Sequence, residues 1–371
     1  MELASGERLP LLPSTPELYI NRSHVIYGPS GSGKTVIIKG LMRILQPHIE
    51  QIVVFSPSEP SNRSYEGYVD PPLIHFQIGS GQPRSGRGRG RASSAGALEF
   101  LEKIWHRQEA ATSVAKRAND PEALARLFHR IPDGERVEAL ARIEELNRRR
   151  HHTRERVKRE AAGGACDERI REVDEKFRSI LTLIYKKYIT PHYETLFAKT
   201  HDDDERHCLM YLQFNPRMLI VFDDSGAELK PLNKKEILRK LFYQSRHASL
   251  TVIMALQDDT DLDANLRKNA YISFFTAATT ATANFTRTAN QFSKAHRATA
   301  EEAGLAVFAT HGNKLAFIRD DPTKQHFYFT DLPPTRIFRF GSSALHELCD
   351  AARSDGRKMD ADNPYYDKFA S

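Results

Sequence analysis

The chain has 371 residues, with 54 Lys and Arg against 48 Asp and Glu, a formal charge of +6 and a pI near 9.1. Hydrophobic residues make up 40% and charged residues 27%, and the mean hydropathy is −0.53; a soluble chain with a sizeable core is expected, no run reaches the roughly 18–20 apolar residues of a membrane span, and the N-terminus lacks a signal-peptide pattern. The charge permits nucleic-acid binding without requiring it, and Cys166, Cys208 and Cys349, far apart and at no metal-ligand spacing, point to a reducing compartment and no structural disulfide.

In chain order, residues 24–27 form a short apolar strand that runs into a glycine-rich loop. Residues 35–45 read as a helix with Val36, Ile37, Leu41, Ile44 and Leu45 on its apolar side, ended by Pro47, and IVVFS at 52–56 is the next buried strand. Strand, loop, helix and strand make a βαβ unit, hence a parallel sheet covered by helices. Residues 56–70 are irregular, and 74–78 are a further short strand. The composition then changes: GSGQPRSGRGRGRASSAG at 79–96 is a low-complexity loop that cannot form a core.

Three helical runs follow, at 98–129, 135–158 and 167–188, with Gly163 and Gly164 interrupting the second and third. The last carries Ile170, Val173, Phe177, Ile180, Leu181 and Ile184 at helical spacing. They constitute a mainly helical, charged insertion, or alternatively a dimerising helical hairpin. Sheet patterning returns at 218–222, followed by helix at 233–245, strand at 250–256, a short helix at 261–269, strand at 271–275 and helix at 284–303. Residues 305–309, 315–318 and 326–329 read as terminal strands, the last two as a hairpin, and the tail beyond 350 is polar.

The chemistry concentrates at strand ends. GPSGSGKT at 28–35 fits G-x-x-x-x-G-K-[ST] and lies between a strand and a helix, as a phosphate-binding loop must. Gly28, Gly31 and Gly33, with Pro29, Ser30 and Ser32 between them, let the backbone amides wrap phosphates at a helix N-terminus. Lys34 is placed for the β and γ phosphates and Thr35 for Mg²⁺. The strand MLIVF ends in Asp223 and Asp224; the first is the choice for orienting Mg²⁺ and the second for general base toward the attacking water. The strand TVIMAL ends in Gln257, a sensor of the γ phosphate, and in a parallel sheet all these ends share one edge. Arg246, beside His247, is the first choice for an arginine donated to a neighbouring subunit's phosphate and Arg267 the second, though each also reads as a surface ion-pair residue. Basic tracts at Arg84, Arg87, Arg89 and Arg91, and at Arg148, Arg149 and Arg150 continuing through Arg154, Arg156, Lys158 and Arg159, offer backbone contacts to nucleic acid, or, for the second tract, a solvated helix face.

These residues define the expected fold class: an α/β P-loop NTPase with a mostly parallel, RecA/FtsK-HerA-like sheet and a largely helical insertion. The expected division is 1–78 and 191–349 for the core, 79–97 for the arginine-glycine loop, 98–190 for the insertion and 350–371 for the tail.

With GPSGSGKT, LIVFDD at 219–224, LFYQSRHASLTVIMALQ at 241–257 and LRKNA at 266–270, the chain resembles the poxvirus-type DNA-packaging ATPases of the FtsK/HerA-like superfamily, and more distantly the adenovirus packaging ATPase. The family's arginine-histidine pair, sensor glutamine and R-x-N element fall on Arg246, His247, Gln257, Arg267 and Asn269. The resemblance implies ATP and Mg²⁺ as cofactors, a homo-oligomeric ring around double-stranded DNA, a capsid vertex or portal as partner, and residence in virions or at viral assembly sites. It covers 20–60 and 215–320 and leaves 80–190 outside. Another nucleic-acid translocase or helicase, and a non-motor nucleotide-dependent DNA-binding protein, remain the alternatives.

Overall fold

The computed structural model describes residues 1–76, 94–160, 164–319, 325–332 and 335–354. Two compact units emerge, one comprising 1–110 and 216–371 and the other 111–215. The first unit holds the sheet. Its opening βαβ unit is β1 (Ser23–Tyr27), helix α1 (Lys34–Leu45) and β2 (Gln51–Phe55). A single-turn helix α2 (Glu59–Asn62) and the two-residue strand β3 (Ile74–His75) follow. Helix α3 (Ser94–Ala118) then leads into the second unit.

The second unit is helical: α4 (Pro121–His129), α5 (Asp133–Glu160), α6 (Gly164–Ile189), α7 (Tyr193–Lys199) and α8 (Asp203–Met210). Asp120 and Asp202 cap α4 and α8, accepting from the amides of Ala123 at 3.1 Å and Glu205 at 3.0 Å. Leu124, Leu127, Phe128, Ile189, Leu196 and Leu209 form the core of this unit. Its buried Glu205 is held by Arg126 at 2.9 Å and Arg130 at 2.6 Å.

The chain returns to the sheet at β4 (Met218–Asp223), followed by α9 (Gly226–Leu229), α10 (Glu236–Tyr243), β5 (Leu250–Leu256), α11 (Ala264–Asn269) and β6 (Ile272–Phe275). Helices α12 (Ala278–Thr286) and α13 (Lys294–Phe308), strands β7 (Lys314–Ile318) and β8 (Phe327–Thr330), and α14 (Ser343–Ser354) complete the described residues. The sheet has 8 strands in the order β3-β2-β4-β5-β1-β6-β7-β8. The first six in that order run parallel, and β7 and β8 close the edge antiparallel. With β5 inserted between the P-loop strand and the acidic strand, this is the mostly parallel α/β sheet expected of a P-loop NTPase.

Strands β1, β4 and β5 are buried along their whole length, which is why they read as unbroken apolar runs. Alternate residues feed two cores: Val25, Tyr27, Phe222 and Leu256 face one, and Ile26, Leu219, Val221 and Ile253 the other. On the first face Phe222 stacks on Phe55 with ring centroids 5.0 Å apart.

Several expected boundaries move. The division falls at 110 and 215 rather than at 98 and 190. Phe100, Leu101, Ile104 and Trp105 form an apolar stripe on α3 that is buried in the core of the first unit, while Leu196, Cys208, Leu209 and Leu212 complete the core of the second. The strand expected at 305–309 is the end of helix α13. Ala300, Ala303, Gly304 and Val307 are its buried positions, a helical spacing that a short apolar run conceals. The arginine-glycine loop at 79–97 lies outside the described residues up to Ser94, where α3 begins; Arg84, Arg87, Arg89 and Arg91 are among those not described, as is the tail beyond 354. No helix among the described residues is long and apolar enough to cross a membrane.

Two buried rings make the fold acid-sensitive. Burial pushes the His24 and His75 imidazoles down to about 4, so both are neutral when folded and protonate more readily when unfolded. The unfolded chain then binds more protons between about pH 6.5 and pH 4, and stability falls as the pH drops through that window. Urea midpoints should decline steadily from pH 7 to pH 4.5, and the decline should be shallower in His75→Leu.

Candidate nucleotide site

The parallel strands deliver their chemistry to one edge. The loop Gly28–Gly33 leaves β1 there, Asp223 and Asp224 end β4, Gln257 follows β5, and Thr276 follows β6. Glycine is required in the loop for two reasons. Gly31 and Gly33 have φ of +73° and +95°, in the left-handed region that glycine adopts without strain. A Cβ at Gly28 would fall 1.7 Å from Thr276 Oγ1. Ser32 Oγ and Thr276 Oγ1 are 2.5 Å apart, and the Ser32 hydroxyl also donates to the Pro29 carbonyl at 2.7 Å. Ser30 is exposed on the outside of the loop.

Lys34 opens α1 with its amine folded back onto the loop, donating to the carbonyls of Gly28 at 2.8 Å and Pro29 at 3.0 Å. Burial lowers its pKa, while the carboxylates of Asp224 and Asp223 work in the opposite direction. The Thr35 hydroxyl donates to Asp223 Oδ2 at 3.1 Å, and the Tyr65 hydroxyl donates to the same oxygen at 2.9 Å. Asp223 is 5% exposed. Burial raises its pKa despite both hydroxyls and the nearby Lys34.

Asp224 is turned the other way. Its φ of +57° is left-handed, a conformation that Asp tolerates better than most residues, and it swings the side chain out to solvent. There the Gln257 amide donates to Asp224 Oδ1 at 2.8 Å. Two adjacent acids thus occupy distinct environments, one buried against Thr35 and one exposed beside Gln257.

A hard cation with oxygen ligands fits the first of these. A hydroxyl and a buried carboxylate converge beside the loop, and such oxygen donors suit Mg²⁺, which keeps most of its waters and takes few protein ligands. Among the described residues no cluster of three His, Cys, Asp or Glu forms a self-sufficient metal cage.

The two expected arginines separate. Arg267 is 7% exposed and donates to Asn290 Oδ1 at 2.8 Å and to the carbonyls of Asp259 and Leu262, both at 2.6 Å. Its buried guanidinium is bonded through Nε and Nη1 within this chain, so the expectation that it reaches a neighbour's phosphate is corrected: it braces the segment after Gln257. Buried Asp259 sits at the centre of that brace, accepting also from Arg287, Asn284 and Asn290, each at 3.1 Å. Arg246 is exposed in the turn that precedes β5, at the opposite sheet edge from Gln257, and makes no ion pair among the described residues. It cannot serve its own site. Asn269 is exposed, and its side-chain amide donates back to the Asn265 carbonyl at 2.8 Å.

Sequence patterns gave no indication of four residues near the site. Tyr65 and Glu59 come from the irregular stretch after β2, where no periodicity marks them; Glu59 Oε1 accepts from the Tyr65 amide at 2.8 Å. Thr276 and Lys314 come from strand ends with no acidic or glycine-rich signature. The one usable signal was strand order: β6 ends beside β1, and the antiparallel β7 begins beside the end of β6.

Fold and site together define a P-loop NTPase fold with a phosphate-binding loop, an acidic strand end and a glutamine-tipped central strand. No family model matches the chain. Over 368 residues it is 40% identical to the uncharacterized protein B354L of African swine fever virus, in isolates from a Malawi tick and a Kenyan pig, covering 98% of this chain and 97% of the relative. The chain belongs to the family of that viral protein. Solved structures that align with it include the genome packaging NTPase B204 from Sulfolobus turreted icosahedral virus 2 in complex with ATP-gammaS, at a TM-score of 0.32 and 12% identity over 86% of this chain and 99% of that one. Another is the plasmid coupling protein TrwB with the GTP analogue GDPNP, at a TM-score of 0.36 and 14% identity over 89% and 91%.

The burial of Asp223 carries a consequence for the nucleotide-free protein. A carboxyl whose folded pKa is raised costs stability once the pH exceeds its ordinary range, because the unfolded chain ionises it more easily. Asp223→Asn keeps an oxygen for the Thr35 and Tyr65 hydroxyls and removes the charge. The variant should melt above wild type at pH 7 without nucleotide, and the gap should close as the pH falls toward 4, where the unfolded chain also holds the proton.

Proposed function

We propose that the protein is an ATP-hydrolysing motor that moves double-stranded viral DNA into a preformed capsid. The observation that carries the reading is the meeting of Lys34, Thr35, Asp223, Asp224 and Gln257 at one sheet edge, with Gln257 bonded to the exposed acid rather than to the buried one. A site for binding alone has no use for a solvent-facing carboxylate oriented by an amide beside the phosphate loop. A site for hydrolysis has: Asp224 takes a proton from the attacking water, and Gln257 holds acid and water in line.

The amides of 28–35 and the Lys34 amine would bind the phosphates of ATP, the amine leaving the carbonyls of Gly28 and Pro29 for the β and γ oxygens. Thr35 and Asp223 would hold Mg²⁺, which supplies charge neutralisation on the phosphates. Tyr65 keeps the Asp223 oxygen oriented. The brace around Asp259 holds the loop that follows Gln257, so the sensor strand and its tip move as one piece.

Support for DNA as substrate comes from the packaging-type cluster at 241–270, from the basic charge of the chain and from its membership of a viral protein family. In a ring, Arg246 of one copy would be the arginine donated to the phosphate of the next, a reading supported by its exposure and its distance in the fold from the Gln257 end of its own sheet. The backbone contacts to DNA are assigned to Arg84, Arg87, Arg89 and Arg91 rather than to the second basic tract. Arg148 and Arg149 pair with Glu145 at 3.2 and 2.7 Å, and Arg150 pairs with Asp174 at 2.8 Å, which lowers the charge they offer a phosphate. The capsid vertex or portal, a poxvirus-type kinship, and a place in virions or at viral assembly sites complete the proposal.

The test is ATP turnover with and without duplex DNA, on a sample of known oligomeric state. Duplex DNA should stimulate turnover. Lys34→Ala should abolish it, and Asp224→Asn should bind ATP normally while turning over about 100-fold slower or worse. Equal turnover by the Asp224 variant removes that residue as the base, and turnover indifferent to DNA removes the motor.

A further inference from the structure

Beside the phosphate loop lies a cavity of about 480 Å³ that the site chemistry leaves unused. Val36, Ile37, Phe308 and Leu332 supply apolar walls, and Asn313 and Lys314 supply polar groups, while Gly31, Ser32 and Gly33 form its border with the loop. Its size and mixed lining suit a small organic ligand with a few directional polar groups. The Lys314 side chain crosses the border: its Cε and Nζ lie 3.5 and 3.9 Å from the position a Cβ on Gly33 would take, at the N-terminus of α1. No carboxylate pairs with that amine among the described residues, and burial lowers its pKa. An ammonium aimed at a helix N-terminus is unfavourable alone, because both ends are positive. An anion between them removes the conflict.

Strand order decides which part of a nucleotide lies here. From the loop after β1, the acids and Gln257 stand on the β5-β4 side and Lys314 on the β6-β7 side. A triphosphate whose γ group faces Asp224 and Gln257 therefore runs its other end toward β7. We infer that this cavity takes the nucleoside of the bound nucleotide, with Lys314 on the α phosphate, Asn313 on a base edge and Asp331 on hydroxyl or amino donors. The Asn313 amide presents one donor and one acceptor together, the pairing that an adenine edge matches. Asp331 is exposed at the rim, where its carboxyl oxygens can accept from ribose hydroxyls. This inference rests on the nucleotide reading of 28–35 and extends it to the half of the ligand that the loop does not touch.

Binding measured by calorimetry on the full chain tests it, with ATP, ADP and inorganic tripolyphosphate as probes. Lys314→Met should weaken ATP and ADP by the same factor, about tenfold, as expected for losing one charge-assisted contact to a phosphate common to both, and Lys314→Arg should restore most of it. Thr310→Trp, at an exposed position on the rim, should weaken ATP and ADP and leave tripolyphosphate unchanged, because only the nucleosides need the cavity. Unchanged ATP affinity in Thr310→Trp, or a Lys314→Met effect confined to ATP, overturns the inference. Lys34→Ala separates the two levels: if it leaves all three probes at wild-type affinity, the nucleotide reading itself fails, whereas its loss of all three with Thr310→Trp unaffected rejects the cavity alone.

Discussion

A carboxylate buried at the end of a central strand is the constraint around which this molecule is organised. Asp223 continues the ladder of β4, pairing in register with Ala255 of β5, so its side chain is carried into the interior with the rest of the strand. There it is costly unless donors surround it. Thr35 supplies one from the first turn of α1 and Tyr65 another from the stretch after β2. Each donor in turn ties a separate segment to the strand end. Hydroxyls temper the cost without removing it, as the raised pKa of Asp223 shows. A bare acid in that position is a site waiting for positive charge, and Lys34 is held back by the carbonyls of its own loop.

The neighbouring acid shows how one residue of backbone separates two roles. Asp224 takes a left-handed φ, and its amide bonds to the same Ala255 carbonyl row that ends the ladder, at 3.2 Å. The kink sends consecutive carboxylates to opposite surroundings. Environment, not residue type, then distinguishes the buried acid from the exposed one.

Much of this was legible in the sequence where local patterns suffice. The GPSGSGKT loop between a strand and a helix, the apolar runs ending in Asp223 and Gln257, and the parallel sheet they imply all depend on short-range signals. What escaped depends on distant segments meeting. Tyr65 and Glu59 sit in a prolyl, polar stretch that carries no period. The end of α13 reads as a strand because five apolar or small residues look alike in either state, and only the buried positions at 300, 303, 304 and 307 reveal the helix. Arg267 was legible as an arginine near the site but not as a buried one, since its partners Asn290 and the carbonyls of 259 and 262 come from turns that sequence spacing does not bring together. The first basic tract, Arg84 to Arg91, falls outside the described residues; the second is matched by acids one helical turn away or on α6, which a count of arginines alone conceals.

The position of Arg267 also bears on how the strand tip at Gln257 would report on a nucleotide under the proposed reading. A glutamine at the end of β5 senses nothing unless the following loop is stiff enough to transmit its displacement. Here the residue two places beyond it, Asp259, is buried among two arginines and two asparagines drawn from α11, α12 and the turn after α12. A buried ion cluster of this kind adds little net stability, because desolvation offsets most of the attraction, yet breaking any one partner strands the others. Its physical contribution is to make the segment behind Gln257 all-or-none. Movement of Gln257 away from Asp224 would either break that cluster or carry α11 and the turn after α12 along with it, and under the proposed nucleotide reading the second course would extend a change at the phosphate loop to elements beyond it.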